Sequence, residues 1–90
     1  MSSGEKVAMV IEQVKLLLGQ TLQLGKRVND FDAGTGLFGT LPEFDSMAVV
    51  SVITAVEERF GIVVDDDEIT AEVFETVGSL TRFVEAKLAG

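Results

Sequence analysis

Residues 45–61, which read DSMAVVSVITAVEERFG, decide the fold of this chain. Apolar side chains recur there at i, i+3, i+4, i+7 and i+11, at Val49, Val52, Ile53, Val56 and Phe60. The run is rich in valine, a residue that favours strands, but its length and spacing predict a helix with one buried face. Asp45 or Ser46 is the natural N-cap of this helix, and Gly61 its C-terminal stop.

Two more amphipathic segments flank this helix. The upstream segment places six apolar residues on one face: Val7, Val10, Ile11, Val14, Leu17 and Leu18. Gly19 and Gln20 are expected to loosen or end it, although Leu22 and Leu24 would allow one more turn. The downstream segment begins at Thr76 or Ser79 and has five apolar residues on its inner side: Val77, Leu80, Phe83, Val84 and Leu88.

The connections between the helices differ in character. Residues 25–45 are rich in Gly, Asp, Asn and Thr and predict a long loop, a kind that is often functional. Four apolar residues are expected to anchor it in the core: Phe31, Leu37, Phe38 and Leu41. The second connection is acidic at residues 65–68, after which Thr70 is expected to cap a short turn that reaches Phe74.

Together these segments predict an all-α fold, a four-helix up-down bundle with a long first loop and a short third helix. Ninety residues suffice for one domain, expected over residues 1–90 with residues 1–4 flexible. The N-terminus lacks the basic lead and apolar core of a signal peptide, and no stretch is long and apolar enough for a membrane span.

Charge restricts the partners of this chain. The formal net charge is −8, with −2 from residues 1–45 and −6 from residues 46–90. Since no basic stripe exists to neutralise phosphates, nucleic acid is not an expected partner, whereas basic protein surfaces are. The chain has no cysteine, which excludes disulfides and thiolate metal sites and fits the reducing cytoplasm.

Several motifs of catalysis or ligand binding are incomplete in this chain. The glycine pattern at residues 34–39 neither follows a strand nor opens a helix, so a dinucleotide site is not expected. An EF-hand loop starting at Asp65 would need an oxygen ligand at Ile69 and glycine at Thr70. Without histidine, no serine has its usual general base. No catalytic residue and no metal ligand are therefore expected, and the chain is not expected to be an enzyme.

Ser46 is the most informative single residue. Considered by itself, a serine at a helix start is most simply explained as a helix cap. However, Met47, Val50 and Thr54 form a second strip beside the buried face, so that a modifiable hydroxyl lies next to exposed apolar side chains. Such a surface suggests a docking site.

At this point the chain resembles the acyl carrier protein family. The resemblance rests on Asp45-Ser46-Met47 for the family's Asp-Ser-Leu, on residues 49–62, on the acidic residues 65–68 and on Thr76-Val77 before the last helix. It implies that a phosphopantetheinyl transferase uses Mg²⁺ and coenzyme A to attach 4′-phosphopantetheine to Ser46, assisted by Asp45. The thiol of that arm then carries acyl groups as thioesters between enzymes of fatty acid or polyketide biosynthesis, or of related pathways.

Partner contacts are expected at Met47 and Val50, and also at Glu57 and Glu58. The family often has acids at the positions of Ala48 and Ser51, and their absence here indicates a specialised carrier rather than a housekeeping one. The resemblance also favours a monomer. The competing hypothesis is an unmodified helical adaptor that binds a partner through its exposed strip.

Overall fold

The computed structural model describes the backbone of residues 3–89, with side chains described from residue 10 onward. It contains three α-helices, namely α1 at Ser3–Thr21, α2 at Ser46–Phe60 and α3 at Val77–Ala89. Two short 3-10 helices lie between them, at Gly25–Asp30 and Asp66–Glu68. Residues 3 and 4 belong to α1, whereas the first two residues of the segment expected to be flexible lie outside the described residues.

The predicted all-α fold is confirmed, with one difference in the second connection. The short third helix is replaced by the 3-10 helix at Asp66–Glu68 and a turn over residues 71–74. The turn is held by Thr70, whose backbone oxygen accepts from the Val73 N–H at 3.2 Å. None of the described helices combines the length and the apolar character that crossing a membrane requires.

Helix α1 ends at Thr21, between the end expected at Gly19 and Gln20 and the further turn that the sequence also allows. Gly19 lies inside the helix, and its lack of a side chain serves packing: a Cβ there would lie 3.2 Å from Cγ1 of Val28 in the first 3-10 helix. The glycine therefore allows the 3-10 helix to approach α1 closely, at a cost of about 1 kcal/mol in helix propensity.

The core lies where the three α-helices meet, and it contains most of the predicted apolar faces, whereas Val7 of the α1 face lies outside the residues whose side chains are described. Its buried side chains come from the three α-helices, the first loop and the second connection: Val10, Val14, Leu17, Leu18, Leu37, Phe44, Val52, Val56, Phe74, Val77, Leu80 and Val84. Val49, Ile53 and Phe60 are half-buried and pack against this core. On α3, Phe83 is only half-buried and Leu88 is exposed, so the inner face of that helix is narrower than predicted.

The long first loop is held by backbone hydrogen bonds. The N–H groups of Leu37 and Phe38 donate to the oxygens of Glu75 and Phe74, both at 2.9 Å. The loop also approaches α3 closely at Gly78, where a Cβ would lie 2.7 Å from the backbone oxygen of Ala33. These contacts fix the loop to the N-terminal end of α3.

Of the four predicted loop anchors, one is wrong. Leu37 is fully buried and Phe31 and Leu41 are half-buried, but Phe38 is 43% exposed. The buried aromatic residue of this segment is Phe44, at 3% exposure. Because the backbone of Phe38 pairs with residue 74, its side chain lies along the surface beside α2 rather than inside the bundle.

Candidate functional site

The site is built on the N-terminal end of α2. Asp45 is the N-cap, with extended backbone, and its Oδ1 accepts from the Ala48 N–H at 2.9 Å. Asp45 also accepts from the Val49 N–H through its backbone oxygen at 3.0 Å. Ser46 is therefore not the cap; it is the first residue of the helix, and it is exposed.

This geometry leaves a polar surface next to the Ser46 hydroxyl. Within residues 3–89, the N–H groups of Ser46 and Met47 have no acceptor, because they precede the first hydrogen bonds of the helix. Free N–H groups and the positive end of the helix dipole attract an anion. A phosphate ester on the Ser46 oxygen fits these N–H groups, and one carboxylate oxygen of the neighbouring Asp45 is engaged by the Ala48 N–H.

An open groove of about 220 Å³ begins at Ser46. Apart from the serine its walls are mostly apolar, and they include Phe38, Val49, Ile69, Ala71 and Phe74. The groove lies between the first loop, α2 and the second connection. The groove therefore places an apolar surface next to Ser46.

Two of the residues that line the groove, Phe38 and Phe74, pack on the buried ring of Phe44. Phe38 lies edge-on to Phe44, with ring centroids 6.4 Å apart and an interplanar angle of 79°. Phe44 in turn packs on Phe74 at 5.9 Å and 41°. Such contacts stabilise an aromatic cluster by about 0.5–1.5 kcal/mol per pair beyond burial. Periodicity did not reveal this cluster, because its members come from loops.

The predicted exposed strip on α2 is present. Met47 is 74% exposed and Val50 is 60% exposed, and Thr54 continues the strip one turn further. The Thr54 hydroxyl donates to the backbone oxygen of Val50 at 3.1 Å, a hydrogen bond within α2 itself. The strip runs from Ser46 along the side of α2 and is free to contact a partner.

The two glutamates near the other end of α2 are unlike each other. Glu57 is half-buried, and its Oε2 accepts from the Val64 N–H at 2.9 Å, so that it supports the chain where α2 ends at Gly61. Glu58 is exposed. Of the pair, Glu58 therefore offers the freer charge, while Glu57 has a structural role that its sequence position did not reveal.

The acidic connection is partly neutralised inside the protein. Glu68 Oε1 accepts from the Asp65 N–H at 3.0 Å, and Lys87 on α3 donates to both of its oxygens at 2.9 and 3.1 Å. The Asp65 hydrogen bond, followed by that from Lys87, holds the pKa of Glu68 below its ordinary value. Asp66 and Asp67 remain exposed.

A second ion pair supports the approach to the serine. Arg27, in the first 3-10 helix, pairs with Glu43 at the end of the long loop. The hydrogen bond from Arg27 lowers the pKa of Glu43, and the same bond raises the pKa of Arg27. Both groups are exposed enough to be screened by salt, so the pair orients the loop rather than stabilising the fold strongly.

The other sequence motifs lie in the two connections, at residues 34–39 and 65–68. Gly36, in the middle of the glycine pattern, makes an isolated antiparallel bridge with Thr76, and no helix begins at Gly39. Among the described residues, no three acidic side chains converge in a way that would hold a metal ion. The cluster at residues 65–68 is thus an acidic surface, part of which is paired with α3.

Comparisons with known proteins agree on one family. The model of the family described as "Phosphopantetheine attachment site" matches residues 12–84. The chain is 33% identical over 76 residues to acyl carrier proteins of Sulfurovum sp. (strain NBC37-1) and Wolinella succinogenes. The match covers 84% of this chain in both cases, and 84% and 83% of those proteins.

A solved structure gives the same result with higher identity. The solution NMR structure of a holo acyl carrier protein from Nitrosomonas europaea is 55% identical to this chain, with a TM-score of 0.83. The similarity covers 89% of this chain and 96% of that one. The chain therefore belongs to the acyl carrier protein family, whose members are carriers rather than enzymes and hold acyl groups on a 4′-phosphopantetheine arm derived from coenzyme A.

Proposed function

We propose that Ser46 is the residue to which 4′-phosphopantetheine is attached. The observation that carries this assignment is the exposed hydroxyl at the first residue of α2, beside free N–H groups and an apolar groove. Ser79 is a poorer candidate, since its hydroxyl donates to the backbone oxygens of Val73 and Thr76. Ser51 is exposed but lies within the helix, where backbone N–H groups are already bonded.

In the transfer, the Ser46 oxygen bonds to the phosphorus of the pantetheine phosphate while the pyrophosphate bond of coenzyme A breaks. The serine proton passes to the transferase, and the adenosine bisphosphate leaves. Asp45 assists through its carboxylate, since Oδ1 caps the helix and Oδ2 remains available to the Mg²⁺ of the transferase. Once bound, the arm supplies a thiol that forms thioesters with acyl groups.

Partner enzymes are proposed to dock on the exposed strip. Met47 and Val50 provide apolar contact area next to the serine, and Glu58, with a smaller contribution from Glu57, attracts basic partner surfaces. Ala48 is buried and Ser51 is uncharged, so the first turns of α2 offer no acid beyond Asp45. This distribution supports a specialised carrier whose partners rely on apolar contact near the arm.

The chain is proposed to act as a monomeric single domain over residues 1–90. It is proposed to act in the cytoplasm, because a chain without cysteine needs no oxidising compartment for disulfides. The adaptor hypothesis uses the same exposed strip but requires no modified serine. Modification of the chain therefore distinguishes a carrier from an adaptor.

Intact mass spectrometry after incubation with coenzyme A, Mg²⁺ and a broad-specificity transferase tests the assignment. The unaltered chain should gain one phosphopantetheine, Ser46→Ala none, and the matched control Ser51→Ala one. Modification of Ser46→Ala would refute the site. Absence of modification in the unaltered chain would favour the adaptor.

A further inference from the structure

We propose that Met47 is a modification site, whose oxidation by a peroxide to methionine sulfoxide weakens the binding of partner proteins to the exposed strip. The inference rests on the proposed function, because it concerns proteins that dock on this strip to reach Ser46. It goes further by assigning a second, reversible modification to the residue that directly follows the serine.

Met47 is the most exposed of the large apolar side chains that the structure describes. It is 74% exposed, compared with 60% for Val50 on the same side of α2. The chain has no cysteine, and its other methionines, Met1 and Met9, precede the residues whose side chains are described. Before the arm is attached, Met47 therefore carries the only sulfur atom that residues 10–89 present to an oxidant.

The reaction at this sulfur is an oxygen transfer. One peroxide oxygen bonds to the thioether sulfur while the O–O bond breaks, so that the sulfur is oxidised and the peroxide is reduced to water or an alcohol. The product is a polar sulfoxide, and methionine sulfoxide reductases return it to the thioether. The side chain thus has an apolar and a polar form that can be interconverted.

The fold does not depend on the Met47 side chain. Met47 is the second residue of α2, and it is absent from the core, to which the same helix contributes Val52 and Val56. The adjacent Ala48 is buried, so the helix turns its inner face away from the sulfur. Oxidation of Met47 should therefore leave the packing of the bundle and the melting temperature unchanged.

Docking, in contrast, depends on this side chain being apolar. The first turns of α2 offer no acid beyond Asp45, so Met47 and Val50 provide the contact area next to the serine. A sulfoxide that is buried against an apolar partner surface loses its hydrogen bonds to water without replacement, which costs free energy. The expected result is a complex that is roughly ten times weaker.

The test treats the unaltered chain with dilute hydrogen peroxide, removes the peroxide with catalase, and then measures loading by the transferase with coenzyme A and Mg²⁺. Peptide fragmentation should locate an added oxygen on Met47. The KM for the oxidised chain should rise roughly tenfold while kcat changes little, as expected when ground-state binding alone is lost. Treatment with both methionine sulfoxide reductases, one for each epimer, should restore the KM.

Met47→Leu is the matched control, because leucine is apolar and of similar volume but contains no sulfur. Each protein is compared with its own untreated form, and peroxide should leave the KM of this variant unchanged. The proposal would be overturned by an unchanged KM after oxidation at Met47, by peroxide that spares Met47, or by an equal loss in Met47→Leu. A chain that cannot be loaded before any treatment would instead refute the proposed function.

Discussion

The two ends of α2 use their polar and apolar side chains in opposite ways. At the N-terminal end Ser46, Met47 and Val50 are exposed and hold no other element in place. At the C-terminal end, Glu57 supports the backbone of Val64. Beyond it, Glu68 is bound by Asp65 and Lys87. Exposure, rather than chemical type, therefore separates the side chains that are available to partners from those that the fold already uses.

The largest expected effect comes from the aromatic cluster under the N-terminal end. Phe44→Ala removes a ring that is 3% exposed and contacts both Phe38 and Phe74, so it should lower the free energy of unfolding by about 3–5 kcal/mol. Phe60→Ala, at the half-buried opposite end of α2, is the control and should cost less. Urea denaturation measures both, and equal losses would show that the cluster does not underlie the site.

How far the sequence predicts this molecule depends on the kind of segment. The apolar period of α2 predicted its buried Val52 and Val56, and residue preferences predicted the stop at Gly61 but left the N-cap open between Asp45 and Ser46. Regular helices allow this, because spacing alone determines which side chains share a face.

Loops give no such spacing. The exposure of Phe38, which was expected to be buried, depends on the pairing of the loop backbone with residues 74 and 75, more than thirty positions away. The bond from Val64 to Glu57 and the pair between Glu68 and Lys87 likewise join separate elements. Ser46 and its exposed strip were therefore predictable, whereas the groove and the paired acids were not.

Substitutions at Asp45, the cap of α2, can separate its effect on folding stability from its effect on the modification of Ser46. Asp45→Ala removes the acceptor of the Ala48 N–H and should destabilise the protein by about 1 kcal/mol. Asp45→Asn keeps an accepting oxygen and should unfold nearly as the unaltered chain does. If Asp45 also assists the transferase, the asparagine variant should still be modified more slowly, as timed mass spectrometry would reveal. Normal loading by a stable Asp45→Asn variant would contradict that role.

At the opposite end, the bound Glu68 should make stability depend on acid. Its pKa is lower in the folded protein than the ordinary value of 4.5, because the N–H of Asp65 and then Lys87 favour the carboxylate. The contribution is therefore complete above about pH 4.5 and is lost as the pH falls through the lower, folded-state pKa.

The variant Glu68→Gln should thus be less stable than the unaltered chain near neutral pH, and the difference should shrink in acid. Glu58→Gln, an exposed glutamate on α2, should leave the pH dependence almost unchanged. Thermal unfolding between pH 7 and pH 3 measures both variants. A constant gap for Glu68→Gln across that range would show that its carboxylate is not specifically stabilised.

The smallest expected effect concerns the acids that remain free. Asp66 and Asp67 are adjacent and exposed, in the half of the chain that carries −6 of the net −8. Screening their repulsion with salt should raise the melting temperature slightly, by roughly one or two degrees. The double variant Asp66→Asn with Asp67→Asn should show a smaller rise. An equal rise in both proteins would assign the effect to other charges.

The central claim, that the free end of α2 bears the prosthetic arm, is tested most directly by locating the modification. Peptide fragmentation of the loaded chain should place the phosphopantetheine on Ser46 in the segment that contains Asp45 and Met47. A modified peptide that instead contains Ser51 without Ser46, or any peptide from α3, would contradict the account.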